Sequence, residues 1–261
     1  MLPRKQRRTS DLDNTKYSAV NTNKLLSIFA KTFSLSIMTN IQRDFRKFAI
    51  SHGVCTSHID ALENLVYPTV IEERSSAMRA VEMNVFSRLI QERIIFLSGE
   101  VTDDSMDIIS AQLLYLDSVD SRDINLYINS PGGSCYSGLE LVSVMDFIKS
   151  DVSTTVLGMA ASMGAVISSN GTKGKRLILP YSRFMIHQPS SCFGYSRFTD
   201  SEIALEEMKS VKNDLYEILA KNSGKSIEEV ERLCNNGDRW MKGHDIIDGG
   251  WADKIIQPSK N

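Results

Sequence analysis

Of the four histidines in the chain (His52, His58, His187 and His244), one stands in a context suited to proton transfer. His187 closes the run Met185-Ile186-His187-Gln188-Pro189, in which Pro189 stops the element. An imidazole at the end of a strand points out of the sheet edge, and a serine nucleophile needs a base that titrates near neutrality. Alone, such a histidine is more often a hydrogen-bonded core residue, so its companions in the sequence decide.

The first companion is Ser162, in Gly158-Met159-Ala160-Ala161-Ser162-Met163-Gly164-Ala165. Small neighbours let the backbone turn sharply and a helix begin at the serine. That exposes Oγ and aims the free N–H of Met163 at any negative charge nearby. This is the logic of a nucleophile elbow, although the Gly-x-Ser-x-Gly spacing of the α/β-hydrolases is absent. The second companion is Gly132-Gly133, where the missing Cβ atoms allow backbone N–H groups to approach a ligand closely, as an oxyanion hole requires. Each has a plain structural reading, a capping serine in one case and an ordinary Pro-Gly-Gly turn in the other. Together, in this order, they point to acyl transfer.

The elements that must position these groups follow from periodicity. Residues 93–97 read as a buried strand ended by Ser98-Gly99, and Thr102 or Asp103 caps a helix carrying Met106, Ile109, Leu113 and Leu116 at helical spacing. Ile124, Leu126 and Ile128 alternate with polar residues, which predicts a strand that stops at Ser130-Pro131-Gly132-Gly133. A helix is expected from about Ser137 to Ile148, then strands over 152–157 and 183–186, and a long amphipathic helix from Ser201 to Asn222. Strand and helix alternate with connections too long for hairpins, so the expected class is α/β, a mostly parallel sheet covered by helices.

Composition narrows the function classes. The 261 residues include 42% apolar ones, enough for one packed domain with an appendage. Residues 1–50 carry ten Lys/Arg against three Asp, a net +7, and the remainder carries −9. An acidic body argues against a nucleic-acid partner. No stretch approaches a membrane span, and the nearest, Leu25 to Met38, is interrupted by Lys31. Residues 1–64 are therefore read as a basic N-terminal extension (a leader, a transit peptide, or a start placed before Met38), and 65–261 as the folded domain. Cys55, Cys135, Cys192 and Cys234 share no spacing, which fits a reducing compartment, and His52-x-x-Cys55-x-x-His58 lacks a fourth metal ligand nearby.

Several segments resemble the proteolytic-subunit family of the Clp protease: Tyr67–Arg74, Phe86–Leu89, Glu92–Leu97, Ile124–Gly133, Gly158–Ala165, Gly174–Arg176 and Met185–Pro189. The likeness runs from about Tyr67 to Pro258, and Asp44–Ala49 is similar to the leading segment of one bacterial branch. The resemblance implies a crotonase-like (ClpP) fold with a protruding strand-helix handle. It implies Ser162 as nucleophile, His187 as base, and the N–H groups of Gly132 and Met163 as oxyanion hole. The triad aspartate falls in Asp238-Arg239-Trp240-Met241, so Asp238 would orient His187, and Arg239 would contact a neighbouring ring.

The resemblance also implies a homo-oligomer of two stacked heptamers, and a Clp-type AAA+ ATPase that uses ATP and feeds in unfolded polypeptide. No cofactor or metal is expected in this chain, no nucleic-acid or membrane partner, and the expected location is the cytoplasm, or an organelle matrix if the leader is a transit peptide. Two departures stand out. Asp238 comes one residue late, with Gly237 in the usual place, and Ser190–Tyr195 replaces a Gly-rich start of the handle with one extra residue. Alternatives are a non-catalytic ring-forming paralogue and an acyl-CoA enzyme of the crotonase type.

Overall fold

The computed structural model describes residues 69–72, 81–191 and 197–257, together with Lys47. The His52-x-x-Cys55-x-x-His58 segment, residues 1–46 and most of the altered segment after Ser191 lie outside the described residues. All described residues fall within one compact unit, Phe45–Asn261.

Strands β1 (Thr69–Glu72) and β2 (Val81–Asn84) form a small antiparallel pair, followed by the short helix α1 (Val85–Gln91). The main sheet holds β3 (Ile94–Val101), β4 (Ile124–Gly133), β5 (Val152–Ala161), β6 (Arg176–Ile178), β7 (Arg183–Ile186), β8 (Arg239–Lys242) and β9 (Lys254–Ile255). Its pairings are parallel except the antiparallel one between β7 and β8. The sheet forks at β5: Thr154–Val156 pair with β6, while Met159–Ala161 pair with β7. Ser182 Oγ, fully buried, closes the fork by donating to the carbonyl of Val156 at 2.7 Å.

Two strands run further than periodicity predicts. The sequence places the end of β3 at Ser98-Gly99 and the end of β4 at Ser130, yet Glu100 pairs with Gly132 and Val101 with Gly133 beyond a register shift. Gly99, Gly132 and Gly133 have φ of 93°, 91° and 152°, so glycine here re-aims a strand instead of terminating it. Likewise β5 continues past Leu157 to Ala161. Backbone pairing decided these ends, and apolar alternation does not register it.

Helices α2 (Asp103–Val119), α3 (Cys135–Phe147) and α4 (Met163–Ser169) cover the sheet. Of the two caps that the sequence offers, Thr102 and Asp103, Thr102 caps α2 by accepting from the Ser105 N–H. The core joins Met106, Leu113 and Leu116 to Leu126, Ile128, Leu141, Val156 and Ile167, each contributing about 1.5–3 kcal/mol by its removal from water. Two buried arginines stitch the frame. Arg93, held at φ 60°, donates to the carbonyls of Leu116, Asp123 and Arg122. Arg176 grips Asp253, whose carboxyl is held below its ordinary range by the hydrogen bonds and charge of Arg176 acting against burial.

Helix α5 (Phe198–Ser223) is longer than the 201–222 read from its periodicity. Its second half buries Val211, Leu215 and Leu219, while Phe198, Ile203 and Leu205 in the first half are exposed. Helix α6 (Ile227–Asn235) escaped the periodic reading, although Ser226 caps it by accepting from the Glu229 N–H, a Ser-x-x-Glu signal present in the sequence. The short α7 (His244–Asp248) places His244 in solvent, away from any role in the sheet. Among the described residues no helix is long and apolar enough to cross a membrane.

Candidate active site

The parallel strands β4, β5 and β7 all deliver their carboxyl ends to one edge of the fork, the place where open α/β sheets bind ligands. Pairing in β5–β7 ends at Ala161 opposite Met185, and the Ser162 N–H donates to the Met185 carbonyl at 2.9 Å. The next residue, Ser162, is thereby set beside the end of β7 at Ile186, with His187 following one residue later. On its other edge β7 pairs with β8, and Ile186 faces Arg239. One step further in that antiparallel register, His187 faces Asp238. Two ladders sharing β7 thus set the three side chains in a row.

The side chains meet as the ladders require. His187 Nε2 lies 2.8 Å from Ser162 Oγ, and His187 Nδ1 lies 3.3 Å from Asp238 Oδ1. The second contact is slightly longer than an ordinary hydrogen bond. The imidazole is 26% exposed and the carboxylate 59%, so the row runs from a half-buried serine out to solvent. Asp238 follows Gly237, where φ is 92° and a Cβ would stand in open space.

Ser162 itself has φ 54° and ψ −124°, a conformation that costs a non-glycine residue roughly 1–3 kcal/mol. The strain turns the chain from β5 directly into α4. The Ser162 carbonyl accepts from Ala165 and Val166, leaving the N–H groups of Met163 and Gly164 outside the helical ladder. Gly132 abuts this turn: a Cβ placed on it would lie 2.6 Å from Ser162 Cβ and 2.8 Å from Met163 N. Ser162, His187 and Asp238 are therefore contiguous, and Gly132 abuts the serine's turn, with its own N–H directed to Ser130 Oγ.

Sequence reasoning missed Asn129 and Ser130. The β4–β5 register shifts between Ile128 and Ser130, and the Asn129 side-chain oxygen bridges the gap by accepting from the Met159 N–H at 3.1 Å. Ser130, fully buried, accepts the Gly132 N–H on its Oγ, also at 3.1 Å. A serine two residues before glycine is a recognisable turn signal, which could have singled it out. Beyond Gly133, Ser134 caps α3, and Tyr136 donates its hydroxyl to Glu207 of α5 at 3.2 Å. Burial pushes the Cys135 thiol up, so it is a poor rival nucleophile. Among the described residues no group of three or more His, Cys, Asp or Glu is placed to hold a metal ion.

A family described as Clp protease matches residues 77–259. The chain is 43% identical over 223 residues to the ATP-dependent Clp protease proteolytic subunit of Porphyromonas gingivalis, covering 83% of this chain and 99% of that one. It is 47% identical over 191 residues to the protein of the same name from Streptococcus pneumoniae, covering 72% of this chain and 96% of the other.

Proposed function

The chain belongs to the Clp protease family as a serine peptidase subunit of an ATP-dependent protease, and from that premise we propose that Ser162, His187 and Asp238 carry its chemistry. The observation that carries the assignment is the 2.8 Å approach of His187 Nε2 to Ser162 Oγ on a strained turn. Ser162 Oγ attacks the carbonyl carbon of a peptide bond while His187 takes its proton. The tetrahedral oxyanion is met by the N–H group of Met163. Collapse expels the amine, which takes the proton from His187, and leaves an acyl-enzyme. Water, deprotonated by His187, then releases the acid. Asp238 keeps the imidazole oriented and stabilises its cationic form.

The active unit is two stacked heptamers that enclose the serines, fed with unfolded polypeptide by a Clp-type AAA+ ATPase in the cytoplasm. The fold domain begins near residue 65, after a basic extension. The exposed face of α5, with Phe198, Ile203 and Leu205, supports the stacking: it is too apolar to be left in water and continuous with the buried stripe. Arg239, exposed at the start of β8, suits a contact to the opposite ring. The expected result is a tetradecamer in analytical ultracentrifugation that hydrolyses short peptides alone but degrades casein-like and folded proteins only with an unfoldase and ATP. An active monomer, or rapid digestion of a folded protein without ATP, would contradict it.

A further inference from the structure

Ser162 is followed by a methionine that water does not reach: Met163 is 2% exposed, although it begins α4 at the turn where the site opens. Its thioether lies along the backbone of α3. A Cβ built on Gly138 would overlap Met163 Cγ and lie 2.6 Å from its Cε and 2.8 Å from its Sδ. Nothing in the backbone asks for glycine at that place. Gly138 is a helical residue outside the left-handed region, where alanine is the better helix former. The room that Met163 occupies is the physical reason for it. The floor beneath does not yield either. The Gly138 N–H donates to the Ser134 carbonyl at 3.1 Å, and the Ser134 N–H to the Val101 carbonyl at 2.8 Å. The buried Ser137 hydroxyl donates to the Asp103 carboxylate and meets Ser134 Oγ at 2.7 Å. On its other side, the first turn of α4 sits against β4: a Cβ on Gly164 would lie 3.1 Å from the Ser130 carbonyl oxygen.

We infer that Gly138 is a positioning residue for the nucleophile: by seating the Met163 side chain it fixes the Ser162–Met163 peptide, and with it the direction of Ser162 Oγ. The inference rests on the reading of Ser162 as nucleophile. Ser162 holds φ 54° and ψ −124°, which neither helix nor strand propensity maintains, and its side chain makes no capping bond. Its carbonyl is tied to the N–H groups of Ala165 and Val166 at 2.9 and 3.3 Å. The other half of that peptide, the Met163 N–H, lies outside the helical ladder and follows wherever the Met163 Cα is held. A methionine has three rotatable bonds and holds nothing unless it is clamped, and α3 supplies the clamp. Cγ is bonded directly to Met163 Cβ, so a methyl on Gly138 requires a turned χ1 or a moved Cα. With Met163 buried, a turned side chain finds no free volume, and the strain passes to the backbone beside Oγ. The loss falls on the transition state, where Oγ, the imidazole and the carbonyl carbon must align, and not on the bound substrate.

Full-length Gly138→Ala, Met163→Ala and the double variant are compared with wild type on a peptide amide substrate. Active sites are counted by titration to completion with a fluorophosphonate, so that chains that fail to fold drop out of the rates. Per titrated site, Gly138→Ala is expected to lose kcat by roughly tenfold to a hundredfold with KM within about twofold. In the Met163→Ala background, where no thioether meets the new methyl, the same substitution costs less than about twofold. This compensation separates seating of Met163 from a general weakening of α3, which would cost alike in both backgrounds. If Gly138→Ala yields no titratable sites, their return in the double variant supports the same conclusion, and their continued absence overturns it. An unchanged kcat in Gly138→Ala, a change confined to KM, or an equal loss in both backgrounds also overturns the inference, leaving the triad standing. A wild-type chain that hydrolyses the peptide but forms no adduct on Ser162 overturns the reading of the nucleophile instead.

Discussion

Ser162→Ala is expected to reduce peptide hydrolysis by about 10⁴-fold or more, and His187→Ala nearly as much, with the double substitution no worse than either alone. The reason lies in the shared contact. Ser162 Oγ and His187 Nε2 form one unit at 2.8 Å, and a hydroxyl without its base, or a base without its hydroxyl, starts no acyl transfer. Neither change should weaken the fold. Ser162 is half-buried at φ 54°, and alanine there keeps the same strain, so melting temperatures should stay close to wild type. Steady-state hydrolysis of a fluorogenic peptide checks the result. Survival of even a tenth of wild-type turnover in Ser162→Ala would mean that another group is the nucleophile.

Gly132→Ala is the second large effect. A Cβ at this position would lie 2.6 Å from Ser162 Cβ, 2.7 Å from the Ala161 carbonyl oxygen and 2.8 Å from Met163 N. Two of these are backbone atoms, so no side-chain rotation relieves the clash, and the end of β4 or the nucleophile turn must move. A displacement of a few tenths of an ångström misaligns donors with the oxyanion. We expect kcat to fall about a hundredfold or more. The positive φ adds strain of about 1–3 kcal/mol, which a domain of this size survives. Gly174→Ala separates the two contributions. Its φ is 88°, but its Cβ would meet nothing within 4 Å, so stability should fall while activity per folded molecule is kept. Equal activity losses in the two variants would show that strain, and not the approach to Ser162, is responsible.

The sequence revealed the site's chemistry more readily than its architecture. Ser162 and His187 were visible from local context alone: small residues around a serine after a strand, and an imidazole closing another. Asp238 was not, because what brings it to His187 is the antiparallel pairing of β7 with β8, a contact between segments separated by the whole of α5 and α6. Only the family resemblance named it. The ends of β4 and β5 were read too early for a related reason. Glycine and small residues looked like stops, whereas partner strands carried the pairing through them, with Asn129 and Ser130 bridging the irregular step. The apolar run of α5 was legible, but its division into a buried second half and an exposed first half depends on where the helix leaves the sheet. Strands β6, β8 and β9 are short, and their residues carry too little alternation to stand out.

The central claim is that Ser162 is the nucleophile and that His187 activates it. Its most direct test is to treat the full-length chain with a fluorophosphonate and map the modified peptide by mass spectrometry. An adduct on Ser162 alone is predicted, with the rate of labelling collapsing in His187→Ala. An adduct on another hydroxyl such as Ser134, or labelling of Ser162 at an unchanged rate without His187, would contradict the account.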